Sequence, residues 1–268
     1  MELYLEGIGL CAGGLPNWAE SRDVLAGRSP YRSDELVMTA SPLLPPAERR
    51  RTTDTVKLAM TVGSEAIAHA GLRAEDTASV FTSSGGDGRT ITAILEVLAS
   101  PEREVSPTRF HNSVHNAPAG YWSIATRCRE ASTSICAYDF SFAAGLLEAA
   151  TRVLAERRAT LLVAYDLPYP PALAACRPVT APFGTGLVLA PERTARTLAS
   201  LAVALRRPPV HETVLDDPAL EALRIGVPAA CALPLLIALA RVGAGEVVIP
   251  YVADGAVAVH VTPVARDR

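Results

Sequence analysis

The chain has 268 residues, 49% of them hydrophobic and only 5% aromatic, with 25 basic against 28 acidic side chains and a formal net charge of −3. That length buries a substantial core, as one large domain or two fused halves. The near balance of charge, with no stripe interleaving Lys/Arg and aromatics, does not suit a nucleic-acid binder. An excess of alanine, leucine and valine suits helices packed tightly on a largely parallel sheet.

The opening MELYLEGIGLCAGG carries acidic residues where a secretory signal needs basic ones, so the expected location is the cytoplasm. Leu3 to Leu10 reads as a strand running into Gly13-Gly14. Val56, Met60, Gly63, Ile67 and Ala70 then recur at helical spacing, with Thr52 to Asp54 as capping candidates and Gly71 as a stop. ASVFTSSGGDG is a short apolar strand feeding a glycine loop. Ser83 to Gly88 lacks the Lys-Ser/Thr of a phosphate cradle, so a plain strand-to-helix loop is expected. Residues 108 to 130 form a polar and aromatic crossing segment.

Ser132 to Tyr138 reads as a buried strand, followed from Phe140 by a helix striped with Leu146, Ala150, Val153 and Leu154. ATLLVAYD is the next strand, which makes a right-handed crossover with parallel strands. GTGLVLAP, TLASLAVAL and the closing pair GEVVIPYV and GAVAVHVTP continue the pattern. The apolar run Ile225 to Ala240 is shorter than a membrane span and holds Pro228 and Pro234, so it predicts a buried helix and no membrane span. Pro208 to Ala222 is the nearest thing to a linker, too short to separate domains.

Cys11, Cys128, Cys136, Cys176 and Cys231 lack paired spacing and read as reduced thiols, not as disulfides or a zinc site. Enzymes favour a nucleophile at a strand-to-helix corner, where the helix dipole favours an anion. The corner here carries Asp139, whose expected role is to cap the helix beginning at Phe140. Cys136 is expected to be a small buried thiol, inert because burial disfavours its thiolate. His111 and His115 are four apart and could face one way on a helix. With no third ligand, an interface loop accounts for them better than a metal site, and no metal or cofactor is expected. His69, His211 and His260 have no evident partner in the sequence.

The order of these pieces resembles the β-ketoacyl synthase family, which has the thiolase fold. YLEGIGLCAGGLPNWAESRDVLAGRSPY is similar to that family's opening, VKLAMTVGSEAIAHAGL to its first long helix, and VFTSSGG to its next strand. SPTRFHNSVHNAPAGYWSIATRCREASTSICAYDFSFAAGLLEAA resembles the segment that crosses the dimer interface into the nucleophile elbow. RPVTAPFGTGLVLAPER resembles its arginine-proline-phenylalanine stretch and following strand. The resemblance implies an α/β, thiolase-like layered fold with mixed, largely parallel sheets and a shortened second half. Residues 1–268 would form one body, 1–192 a ketosynthase-like half and 193–268 a reduced C-terminal half.

Matched at the helix start, the family pattern places Asp139 where the acyl-accepting cysteine stands; matched through S-I-C-A, it places Cys136 there. The family's His-Gly-Thr-Gly-Thr motif is missing, since FGTG (Phe183 to Gly186) lies in a different strand and lacks the histidine. Its Gly-His motif survives only as IGVPAACALPLLIALARV. A carboxylate attacking a thioester would form a more activated mixed anhydride, and a fixed negative charge would repel a malonyl carboxylate. Oxyanion stabilisation has also lost its side-chain half.

The resemblance therefore implies no catalytic residue. It implies a chain-length-factor-like subunit, similar to those of aryl polyene pathways, that pairs with an active ketosynthase in polyketide or fatty-acid-like biosynthesis. An acyl carrier protein would be a second partner, with Arg49 to Arg51 and Arg157-Arg158 as candidate contacts. Pairing would run across Thr133 to Tyr138. The tunnel and interface candidates are Phe110, His115, Asn116, Tyr121, Trp122, Cys136, Tyr138, Phe140 and Phe142. Two other readings stay open: an acyl-thioester hydrolase or transferase using Cys136 with His111 or His115, and a scaffold that only docks the carrier.

Overall fold

The computed structural model describes residues 1–252 and 254–264. Its strands are β1 (Glu2–Ala12), β2 (Ala78–Thr82), β3 (Ser132–Ile135), β4 (Thr160–Asp166), β5 (Phe183–Ala190), β6 (Ala199–Arg206), β7 (Gly245–Pro250) and β8 (Ala256–Pro263). They form one mixed sheet in the order β3-β2-β4-β5-β1-β6-β8-β7. The helices are α1 (Trp18–Leu25), α2 (Pro46–Arg49), α3 (Asp54–Ala70), α4 (Gly88–Ala99) and α5 (Pro107–Ser113), then α6 (Ala117–Thr126), α7 (Ser141–Glu156), α8 (Pro171–Ala174), α9 (Pro218–Gly226) and α10 (Leu233–Arg241).

Alternation along β4 shows how the sheet is sandwiched. Leu161, Val163 and Tyr165 enter one cluster with α3 and α6, while Leu162 and Ala164 enter the other with α7 and α10. A strand covered on both faces reads as a continuous apolar run, which is why ATLLVAY looked uniform. The long helix α3 begins as expected: Thr53 accepts the Val56 amide, and Gly71 closes it in the left-handed conformation at φ 62°.

α3 lies unusually close to the two central strands. A Cβ on Gly9 or Gly186 would stand 2.1 or 2.4 Å from the Val62 carbonyl oxygen. The glycines of GIG and FGTG are thus there for backbone approach, so FGTG has a structural explanation.

Three expectations change. Parallel pairing is confined to β3–β2–β4, and every other pairing is antiparallel, so the sheet is mixed and not largely parallel. β3 stops at Ile135 and is an edge strand with exposed or half-buried residues, where a buried strand to Tyr138 was expected. The run Ile225 to Ala240 is not one helix. α9 ends at Gly226, Pro228–Ala232 form a 3-10 turn, and α10 starts beside Pro234, because each proline removes a helix donor.

The second half extends the sheet through β6, which pairs with β1 from Leu5–Ala199 to Glu2–Ala202. Arg224, 4% exposed, bonds Glu221 within α9 (2.7 Å twice) and ties the helix to the preceding loop through Glu212 (2.8 Å). Among the described residues no helix is long and apolar enough to cross a membrane.

Candidate functional site at the strand-to-helix elbow

β3 gives way to α7 through a 3-10 turn, Tyr138–Phe140. Tyr138 is left-handed at φ 53°, an uncommon conformation for a residue with a Cβ. The turn is held by Ser141, whose hydroxyl accepts from the Ala137 amide (3.0 Å) and donates to the Tyr138 carbonyl (2.7 Å). Phe140 takes the N-cap position of α7, and no side-chain cap bond is made there. The expected capping role of Asp139 is therefore overturned.

The Asp139 carboxylate is bonded to the Arg177 guanidinium. Arg177 lies over the Tyr138 ring, 3.7 Å from its centroid, and donates to the Tyr169 hydroxyl at 3.1 Å. Its side chain is 17% exposed against 56% for Asp139, so the arginine is the buried member of the pair and the carboxylate faces solvent. Burial opposes its charge, but the bond to Asp139 and its negative charge outweigh burial and push its proton affinity above the ordinary value. A helix-capping carboxylate with a fixed negative charge was expected at the corner; the structure supplies an ion pair.

Tyr169 also explains the glycine loop. A Cβ on Gly85 would stand 1.8 Å from its hydroxyl oxygen, so this loop admits no side chain there. Asp87 caps α4 by accepting the Thr90 amide (2.9 Å). The loop is a strand-to-helix connection, as expected.

Beneath it lies a residue the sequence reading passed over. Asp166, at the end of β4, is 3% exposed and accepts from the Ser83 hydroxyl (3.0 Å), the Ser84 amide and hydroxyl (2.8 Å each) and the Ala229 amide (2.9 Å). Burial raises its pKa and the four donors pull it back; burial prevails and the net shift is upward. The signal was available: an acid closing a wholly apolar strand must be paired if it is buried.

Cys136 is exposed, not buried, and its thiol donates to the Ser84 carbonyl at 3.2 Å. His115 Nε2 lies 3.1 Å from the Ser83 carbonyl, so thiol and imidazole hold successive carbonyls of one loop. α5 ends at Ser113 and Val114 is extended, so His111 and His115 do not share a helix face. His111 instead stands edge-on to Tyr121. Among the described residues no cluster of His, Cys, Asp and Glu could hold a metal ion.

The other candidates separate by burial. Tyr121, Trp122 and Phe142 are fully buried core residues. Phe110 is 65% exposed on α5, and Tyr138 is exposed at the elbow. Phe140 is half-buried against Tyr251, with ring centroids 6.4 Å apart. Asn116 edges a shallow hollow floored by Ala119, Gly120 and the β3 serines 132 and 134. Of the basic candidates, Arg51 pairs with Glu48, Arg157 with Glu192, and Arg158 with both oxygens of Glu130, while Arg49 holds the Pro42 and Leu44 carbonyls. Most of that charge is already spent inside the chain.

Residues 18–223 match the family described as beta-ketoacyl synthase, N-terminal domain. The chain belongs to that family. This ketosynthase homologue shares its fold with a solved ketosynthase (ApeO) in complex with its chain length factor (ApeC) from Xenorhabdus doucetiae, with 24% identity and a TM-score of 0.72 over 97% of this chain and 99% of that one. It is also similar to the ishigamide ketosynthase/chain length factor, with 16% identity and a TM-score of 0.70 over 97% and 99% of the two chains. A third likeness is to AntDE:AntF, a type II acyl-carrier protein in complex with its ketosynthase, with 10% identity and a TM-score of 0.74 over 98% and 99%. No curated protein sequence matches the homologue.

Proposed function

We propose that this chain is the non-reacting, chain-length-factor-like half of a ketosynthase heterodimer, working in the cytoplasm with an acyl carrier protein as second partner. One observation carries the reading: the corner that resembles the family's acyl-loading position holds Asp139 in an ion pair with Arg177, which also stacks on Tyr138. A carboxylate spent on an arginine is a poor nucleophile, and the mixed anhydride it would form lies uphill of a thioester.

The outer edge of β3 supports pairing, because the sheet ends there. Ile124 is exposed on α6, the helix packed against β3. Phe110 of α5 and Leu95 and Leu98 of α4 are exposed on the helices packed in succession beyond it, as is Val114 just after α5, apolar surface of the kind that marks an interaction site. Tyr138 and Phe140 remain the candidates for stopping the chain, since Tyr121, Trp122 and Phe142 are buried in the core. We group the chain with aryl polyene-type factors on the brevity of its second half. Residues 1–192 and 193–268 are taken as two parts of one body, a reading supported by the continuous sheet across β1 and β6.

Coexpression with its cognate ketosynthase tests the proposal. A stable one-to-one complex is expected. A monodisperse homodimer indifferent to that ketosynthase overturns it.

A further inference from the structure

β1 and β6 pair only as far as Leu5–Ala199, and the strands then part. Beyond that point the Ile8 amide is met by the His69 ring, with Nδ1 at 3.2 Å, instead of by a strand. On this side of β1 lies a hollow of about 270 Å³ walled by Ile8, Trp18, Leu198, Leu239 and Val264, with the His69 ring in its lining. It shares no residue with the elbow.

Two features of its rim point to a ligand. Arg22 lines it, one helical turn after Trp18 and on the same face of α1. Among the described residues Arg22 has no ion-pair partner, while the acids near it are spent. Glu65 accepts the Leu10 and Trp18 amides (2.9 and 2.7 Å), and Asp23 pairs with Arg28. The second feature is Val242, 58% exposed and left-handed at φ 53°. A β-branched residue in that conformation is a true outlier. Gly243 follows it and is a residue that takes the conformation freely, yet the strained apolar side chain stands at the mouth of the hollow. Mostly apolar walls with a few convergent polar groups, here Arg22 and the His69 ring, are the usual make-up of a small-molecule site.

We propose that this hollow binds a monocarboxylate with a hydrocarbon body, the chain against Trp18 and Leu239 and the carboxylate on Arg22. The site stands apart from the proposed subunit role and does not depend on it.

Calorimetric titration of octanoate into the full chain, purified with any subunit that accompanies it, is the test. Saturable binding is expected for octanoate. About tenfold weaker binding is expected for octanol and for octanoate with Arg22→Gln, the loss that removing one charged hydrogen bond brings. Val264→Trp, which fills the hollow from its rim, is expected to abolish the signal with circular dichroism unchanged. Absence of saturable binding to the unaltered chain overturns the proposal. So does octanol binding as tightly as octanoate, or either variant titrating like the unaltered chain.

Discussion

At position 139 the chemistry is decided by a neighbour 38 residues away. Arg177 neutralises the carboxylate, stacks on Tyr138 and leaves the corner filled. Asp139→Cys would put a thiol beside an arginine that has lost its counter-ion, and a thiol beside a cation ionises more readily. The variant is expected to be alkylated by iodoacetamide at neutral pH faster than Cys136 or Cys176, the exposed thiols already present. It is also expected to show no acyl condensation by itself, because His115 is turned to the Ser83 carbonyl and brings no imidazole to the corner. Measurable chain extension by that single variant would show that more machinery survives than Arg177 and Asp139 allow.

Among the elements, β3 carries the proposed pairing. The Ala131 and Ile135 carbonyls accept the Ser79 and Ser83 amides, so by the alternation of a strand the Ser132 and Ser134 amides face away from β2. Ser134→Pro removes one outward donor and no bond to β2. We expect unfolding free energy to change by less than about 1 kcal/mol while affinity for the ketosynthase falls at least about tenfold, read by denaturation and by calorimetry. Equal affinity would place the partner elsewhere.

The same strand shows where sequence reading stopped. α3 was legible because its cap, its apolar spacing and Gly71 are all local signals. The limits and exposure of β3 were not, since an apolar run such as Ile135 to Tyr138 looks alike at a sheet edge and at its centre. The position of the corner was legible through its likeness to a known family. Its ion pair was not, because Arg177 arrives from beyond β4.

Across the whole molecule, Asp166 ties together segments far apart in the chain. Its oxygens join the loop after β2, 82 residues earlier at Ser84, to the 3-10 turn Pro228–Ala232, 63 residues later at Ala229, a link that no local pattern reveals. Replacing it by alanine strands the Ser84 and Ala229 amides in the core, while the two serine hydroxyls can turn elsewhere. Two buried donors at about 1–3 kcal/mol each, less the relief of removing a buried charge, give an expected loss of about 2–4 kcal/mol near neutral pH. The pH dependence has a definite sign. Burial raises this carboxyl in the folded chain, so the fold holds its proton more tightly than the unfolded chain does. The carboxyl's titration contribution is therefore complete below the ordinary aspartate value of 3.8 and is lost as pH rises through the raised one. Compared with Asp166→Ala at successive pH values, the native chain should show its largest advantage in acid and a smaller one toward neutrality. An advantage that grows with pH would mean that the four donors outweigh burial, and that Asp166 sits in the fold as a stabilised anion.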